Sequence, residues 1–385
     1  LRRVPGAHVV PGPAGRRAGG AVSEFGPVTL AALLGRPRPT DEQQAVIAAP
    51  LAPAVVVAGA GSGKTETMAA RVVWLIANGH VRPDEVLGLT FTRKAAGELA
   101  GRLRQRLTAL AATGRVAVAE GEPTVSTYDA FAGRIVSEHG ARLGIEPDRG
   151  LLTAAGAWQR AARVVARWDG PMDDVEYAPV TVVEDLLSLH GQVAAHVTSL
   201  DAVDEVTASL LATIDGLPPG PRQRKPLASR LEGVHKAQRA RRRLLPIVAE
   251  YRDSLEAAGL TDFGTVAEQA ARVAAAVAEV GAAVRAQYRV VLLDEFQDTS
   301  YAQLDLLVAL FGPGHPVTAV GDPAQSIYAW RGANADTLAA FAERFATDIP
   351  VRRASLRTSF RNDERILDVA NVLAEPLRGG GQDVD

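Results

Sequence analysis

Two short blocks of side chains have the types and spacing for phosphate chemistry. The first is Ala58-Gly59-Ala60-Gly61-Ser62-Gly63-Lys64-Thr65, a P-loop pattern with Ala in its first position. Glycines let successive backbone N–H groups turn toward phosphate oxygens at the positive end of a following helix. Lys64 then reaches the β- and γ-phosphates, and the Thr65 hydroxyl ligates Mg²⁺. The second block is Asp294-Glu295, which directly follows Val290-Val291-Leu292-Leu293. A carboxylate pair at the carboxyl end of a buried strand lies where an open α/β sheet binds its ligands. Asp294 suits Mg²⁺, directly or through water, and Glu295 suits orienting and deprotonating an attacking water. Together the blocks imply binding of a nucleoside triphosphate and hydrolysis of its terminal phosphate.

Such blocks work only if strands carry them to one sheet edge. Val55-Val56-Val57-Ala58, Val86-Leu87-Gly88-Leu89, Val290-Val291-Leu292-Leu293 and Val317-Thr318-Ala319-Val320 are continuous apolar runs, each stopping at a polar or glycine-rich tip. Continuous rather than alternating apolarity predicts strands covered on both faces, as in a parallel sheet. Helical patterns separate them, such as residues 65–78 closed by Gly79. The reading is α/β, doubly wound. Residues 1–37, rich in Gly, Pro, Ala and Arg, read as a flexible lead-in. Over residues 139–257 strand-like runs become sparse and Ala, Leu and Arg recur at helical spacing, which predicts a mostly helical insertion broken by a loop at 216–221.

Composition bounds the alternatives. The chain has 385 residues, 42 Lys plus Arg against 44 Asp plus Glu, and no cysteine. That length suggests two or three domains at roughly 100–200 residues each. Without Cys there is no disulfide framework, thiol nucleophile or Cys-ligated zinc, and the seven His show no metal-ligand spacing. A net charge of −2 argues against a polybasic protein, yet a basic groove can sit on a neutral body. No apolar run is long enough to span a bilayer and no secretory signal pattern is present, so the expectation is a cytoplasmic protein (bacterial cytosol or nucleoid) with no membrane partner. Residue 1 is Leu, and the chain reads as part of a longer one.

Asp294-Glu295-Phe296-Gln297-Asp298-Thr299-Ser300 and Gly321-Asp322-Pro323-Ala324-Gln325-Ser326-Ile327-Tyr328-Ala329-Trp330-Arg331-Gly332-Ala333 carry a resemblance. The chain resembles the superfamily 1A DNA helicases of the UvrD/PcrA/Rep type over residues 38–365, and its style is similar to that of the actinobacterial AdnA/AdnB helicase–nuclease subunits. The resemblance implies an ATP- and Mg²⁺-dependent motor on single-stranded DNA or a single-strand/duplex junction, moving 3′→5′ in repair or recombination, with a second helicase–nuclease subunit as a further partner. It implies a RecA-like first motor domain over 38–138 and 258–350, a helical insertion over 139–257 that ends before Leu260-Thr261-Asp262-Phe263, and the start of a second, incomplete motor domain over 351–385.

Residue roles follow from the same resemblance. Gln43 matches an adenine-recognising Gln, and Phe360 takes the place of the aromatic that stacks on adenine. Gln325 and Arg361 match residues that sense the γ-phosphate. Phe91, Thr92, Arg93, Thr127, Tyr128, Tyr328, Trp330 and Arg331 match DNA-contacting positions. Sequence-blind strand binding does need aromatic faces and cations, although Tyr328 and Trp330, taken by themselves, read rather as core aromatics. The chain departs from the family pattern at Glu66, where an Arg is usual, at Asp129 in place of His, and at Ser359 in place of Asn. A basic stretch, Arg222, Arg224, Lys225, Arg230, Lys236, Arg239, Arg241, Arg242 and Arg243 against Glu232 alone, suits either DNA or a solvated helix face. Two other classes remain open: a non-hydrolysing DNA-binding subunit of a larger complex, and a transporter-type P-loop ATPase, whose Leu-Ser-Gly-Gly-Gln signature is missing from the sequence.

Overall fold

A computed structural model describes residues 25–116, 118–173, 175, 178–218, 227–327 and 337–378. A six-stranded sheet holds β1 (Ala54–Ala58), β2 (Val86–Thr90), β3 (Thr124–Thr127), β6 (Val290–Leu293), β7 (Val317–Gly321) and β8 (Arg352–Leu356), in the order β3-β2-β6-β7-β1-β8. Every neighbouring pair is parallel. β2, β6 and β7 are buried along their whole length, which is why their sequences are apolar without alternation.

Helices cover both faces, as parallel crossovers require. One side carries α1 (Pro27–Leu33), α2 (Asp41–Ile47), α3 (Lys64–Ala77) and α4 (Arg93–Ala112), sharing a core with Val56, Val86 and Leu292. The other carries α5 (Tyr128–His139), then α10 (Phe263–Ala276), α11 (Ala278–Gln287), α12 (Tyr301–Phe311) and α13 (Thr337–Arg344), around Leu89, Val291, Phe296 and Phe341. Between α5 and α10 the chain forms α6 (Ala154–Arg167), α7 (Pro179–Ala195), α8 (Leu200–Asp215) and α9 (Ser229–Ala257). α6, α7 and α9 pack around their own core, which includes Leu186, Val248 and Tyr251. The short strands β4 (Gly150–Leu151) and β5 (Leu260–Thr261) pair at the base of this insertion, and His190 of α7 meets the α10 cap Asp262 at 2.7 Å. α14 (Glu364–Arg378) is the last element among the described residues.

Two expected boundaries move. Residues 25–37 are part of the folded body: α1 is pinned by Trp74 Nε1 donating to the Phe25 carbonyl (2.8 Å) and by Leu30 buried in the α3 core. β8, expected to open a second domain, instead pairs with β1 from Ala54↔Arg352 to Ala58↔Leu356. It is an edge strand, and its exposed Arg352 and Arg353 suit that place.

Candidate active site

The apolar β1 carries the chain to the carboxyl edge of the sheet, where residues 59–63 form the phosphate loop. Gly61 and Gly63 take φ of 77° and 80°, a left-handed conformation that glycine enters without steric cost. The Ser62 backbone N–H and Oγ both donate to the Gly59 carbonyl, at 3.2 and 2.8 Å, closing the loop on itself. α3 starts at Lys64 with Gly63 as its N-cap. Its first-turn N–H groups and the positive end of its dipole sit at the mouth of the loop, an arrangement suited to phosphate, with Thr65 in the same turn.

β6 and β7 supply the opposing groups. Asp294 is 4% exposed, and burial together with the neighbouring Glu295 charge raises its pKa to about 6 against the pull of Lys64. Glu295 sits at φ 49°, ψ 43°, a strained setting for a residue with a Cβ. That turn brings its Oε2 to 2.9 Å from Lys64 Nζ. Gln297 donates to the same Oε2 at 2.9 Å and accepts from the Asp322 N–H at 3.0 Å. Asp322 in turn accepts from the Gln325 amide. Gln325 is thus tied to Glu295 through Gln297 and Asp322, two residues whose part in the site the motifs alone did not reveal, although both lie inside the quoted blocks.

Gln43 reaches the loop from α2. Its side chain completes a capping box with Thr40, and its Nε2 donates to the Ser62 carbonyl at 3.3 Å. The far end of α2 is held by buried Arg71, which donates to the Val46, Ile47, Ala49 and Pro50 carbonyls at 2.8–3.2 Å. Burial lowers the Arg71 pKa to about 10.

Beyond β8 the chain crosses the phosphate loop. The Phe360 N–H donates to the Gly61 carbonyl at 2.9 Å, and Ser359 Oγ donates to the Ala60 carbonyl at 3.1 Å. A Cβ on Gly61 would lie 2.6 Å from Arg361 Cβ, so Arg361 is seated directly against the loop. Phe360, Gln43, Gly61 and Gly63 border a cavity of about 400 Å³ between α1, α2 and α3, a volume within the range of small-ligand sites. Ala58, at the end of β1, is fully buried and contributes backbone only.

The expected DNA contacts divide. β2 and β3 pair Thr90 with Thr127, which brings Phe91, Thr92 and Arg93 beside Thr127 and Tyr128 at the same sheet edge as the phosphate loop. Thr92 and Thr127 cap α4 and α5 through bonds from Ala95 and Ala130, and Arg93 is exposed. Tyr128 is a correction: it is 3% exposed and donates its hydroxyl to the Asp294 carbonyl at 3.0 Å. It offers no face to a base and instead braces the acidic box. Asp129 accepts from Gln303 Nε2 at 3.0 Å. Tyr328, Trp330 and Arg331 lie outside the described residues, as do Arg222, Arg224 and Lys225. Within α9, Arg242 is paired with Asp204 at 2.6 Å.

A parallel α/β sheet with a phosphate loop at the tip of one strand and an acid pair at the tip of another defines a P-loop nucleoside-triphosphate-binding protein. The chain belongs to the UvrD/REP helicase family, whose N-terminal domain matches residues 39–346. It is 30% identical to the ATP-dependent DNA helicase UvrD2 of Mycobacterium tuberculosis (strain ATCC 25618 / H37Rv) over 88% of this chain and 43% of that protein. It is 27% identical to DNA helicase II of Escherichia coli (strain K12), over 88% of this chain and 40% of the relative. The chain therefore spans well under half the length of these relatives. Among the described residues no helix is long and apolar enough to cross a membrane.

Proposed function

We propose that the chain is the ATP-hydrolysing part of a DNA helicase or translocase, in which triphosphate cleavage drives movement along single-stranded DNA. The observation that carries this reading is the linkage Lys64–Glu295–Gln297–Asp322–Gln325. It ties the phosphate loop to the segment that begins the second diagnostic block, so a change at the γ-phosphate has a mechanical route out of the site.

The phosphate loop amides and Lys64 bind the triphosphate, and Gln43 and Phe360 hold its base. Thr65 and Asp294 fit a Mg²⁺ ion, because a buried carboxylate with a raised pKa beside a second acid is stabilised by added positive charge; the ion would shield the phosphate oxygens and polarise the scissile bond. As phosphate displaces Glu295 from Lys64, the Glu295 carboxylate becomes free to accept a proton from water placed in line with the γ-phosphate. Arg361 adds positive charge to the transition state, a contribution worth about 10³–10⁵ in rate where such fingers have been measured. Phe91, Arg93 and Thr127 line the route for the strand, with Tyr328 and Trp330 as base-stacking partners. The relatives named as DNA helicases support the helicase reading; its 3′→5′ direction, a single-strand/duplex junction as track, a role in repair and a second subunit as a further partner are proposed from the motif resemblance alone.

Fluorescence anisotropy with a labelled oligothymidylate tests the DNA half of the reading. Binding that weakens as salt rises is expected, and Arg93→Ala should weaken it severalfold. Absence of binding at low salt contradicts the proposal.

A further inference from the structure

The cavity bordered by Gln43 and Phe360 has a third wall that the motifs do not contain. α1 ends in a left-handed turn at Gly35 (φ 60°). The Gly35 and Arg36 N–H groups donate to the Ala32 and Ala31 carbonyls, at 3.1 and 2.8 Å. This is the two-bond helix stop that glycine favours, and Pro37 follows it. The stop fixes the direction in which Arg36 leaves the helix, and Arg36 lines the cavity. Its Nη2 then lies 3.3 Å from both carboxylate oxygens of Glu66. Buried Arg106 and half-exposed Arg102 hold the same carboxylate from behind. Three guanidinium groups share one carboxylate, so the wall stays cationic, and the Arg36 side chain keeps 47% of its surface open.

A guanidinium clamped by a carboxylate is a flat cationic plate, the shape that stacks on an aromatic face. We propose that Arg36 is a nucleobase-binding residue, a cationic plate positioned by Glu66 that packs against a purine in the cavity shared with Phe360. This rests on the nucleoside-triphosphate reading of the site. Arg36 acts on the base, and Glu66 acts through Arg36 as a positioning residue.

Calorimetric titration of ATP and of inorganic tripolyphosphate into the 385-residue chain separates base from phosphate recognition. Wild type should bind ATP more tightly than tripolyphosphate. Arg36→Ala should weaken ATP about tenfold and leave tripolyphosphate unchanged. Arg36→Lys, which keeps the charge and loses the plate, should resemble Arg36→Ala, and Glu66→Gln should fall between. Unchanged ATP affinity in Arg36→Ala, full recovery in Arg36→Lys, or equal weakening of both ligands overturns the proposal. Equal wild-type affinity for the two ligands overturns it as well, while leaving the phosphate site intact. Failure of wild type to bind either ligand removes the triphosphate reading itself.

Discussion

Lys64 Nζ and Glu295 Oε2 lie 2.9 Å apart, so in the proposed mechanism the cation that holds phosphate is paired with the carboxylate that activates water. Each group neutralises the other until a triphosphate arrives to take the ammonium. Glu295→Gln should therefore retain ATP binding while hydrolysis falls about 10²–10⁴-fold, the range for loss of a general base. Equilibrium binding and single-turnover phosphate release distinguish the two effects.

Asp294 makes stability depend on pH in a direction opposite to that of an ordinary paired carboxylate. Its pKa is raised to about 6 by burial and by the Glu295 charge, above the value near 4 of an unfolded chain. Between these two values the folded state binds more protons than the unfolded one, so this group's contribution to stability declines as pH rises from about 4 to about 6. Above that window the charged side chain destabilises the fold by about 3 kcal/mol. Asp294→Asn should raise Tm at pH 8, change it little at pH 4, and abolish Mg²⁺-dependent hydrolysis.

Gly61 should tolerate no side chain. A Cβ would meet Arg361 Cβ at 2.6 Å in a backbone with φ 77°, a conformation that costs about 1–3 kcal/mol for other residues. Gly61→Ala is expected to lift residues 359–361 off the phosphate loop. Turnover should fall at least tenfold, by the logic of a displaced arginine finger, in a steady-state ATPase assay.

Tyr128→Phe removes only the hydroxyl that braces the Asp294 carbonyl. A loss of about 1 kcal/mol in urea unfolding is expected, with slower hydrolysis and unchanged oligonucleotide affinity. A large loss of DNA binding would instead mark Tyr128 as a DNA contact.

What the sequence made legible follows from where each signal lies. The phosphate loop and acidic box are contiguous and sit at the ends of apolar runs, so type and order alone place them on β1 and β6. β8 was invisible as a sheet member because an edge strand reading Arg352-Arg353-Ala354-Ser355-Leu356 has no apolar run to announce it. α1 is only seven residues long in a Gly- and Pro-rich surrounding, and tertiary anchoring by Trp74 decides its fate. The Glu66 cluster joins Arg36, Arg102 and Arg106 across 30–40 positions, a distance over which a sequence shows charges and no pairing. Tyr128 follows a strand tip that can face solvent or the core, and only the contact with Asp294 resolves which.

The most direct test is ATP hydrolysis with and without single-stranded DNA, with Lys64→Ala as control. A motor predicts hydrolysis strongly stimulated by the strand and abolished by Lys64→Ala. Hydrolysis indifferent to DNA, or undiminished in Lys64→Ala, would contradict the coupling of this phosphate site to a nucleic-acid track.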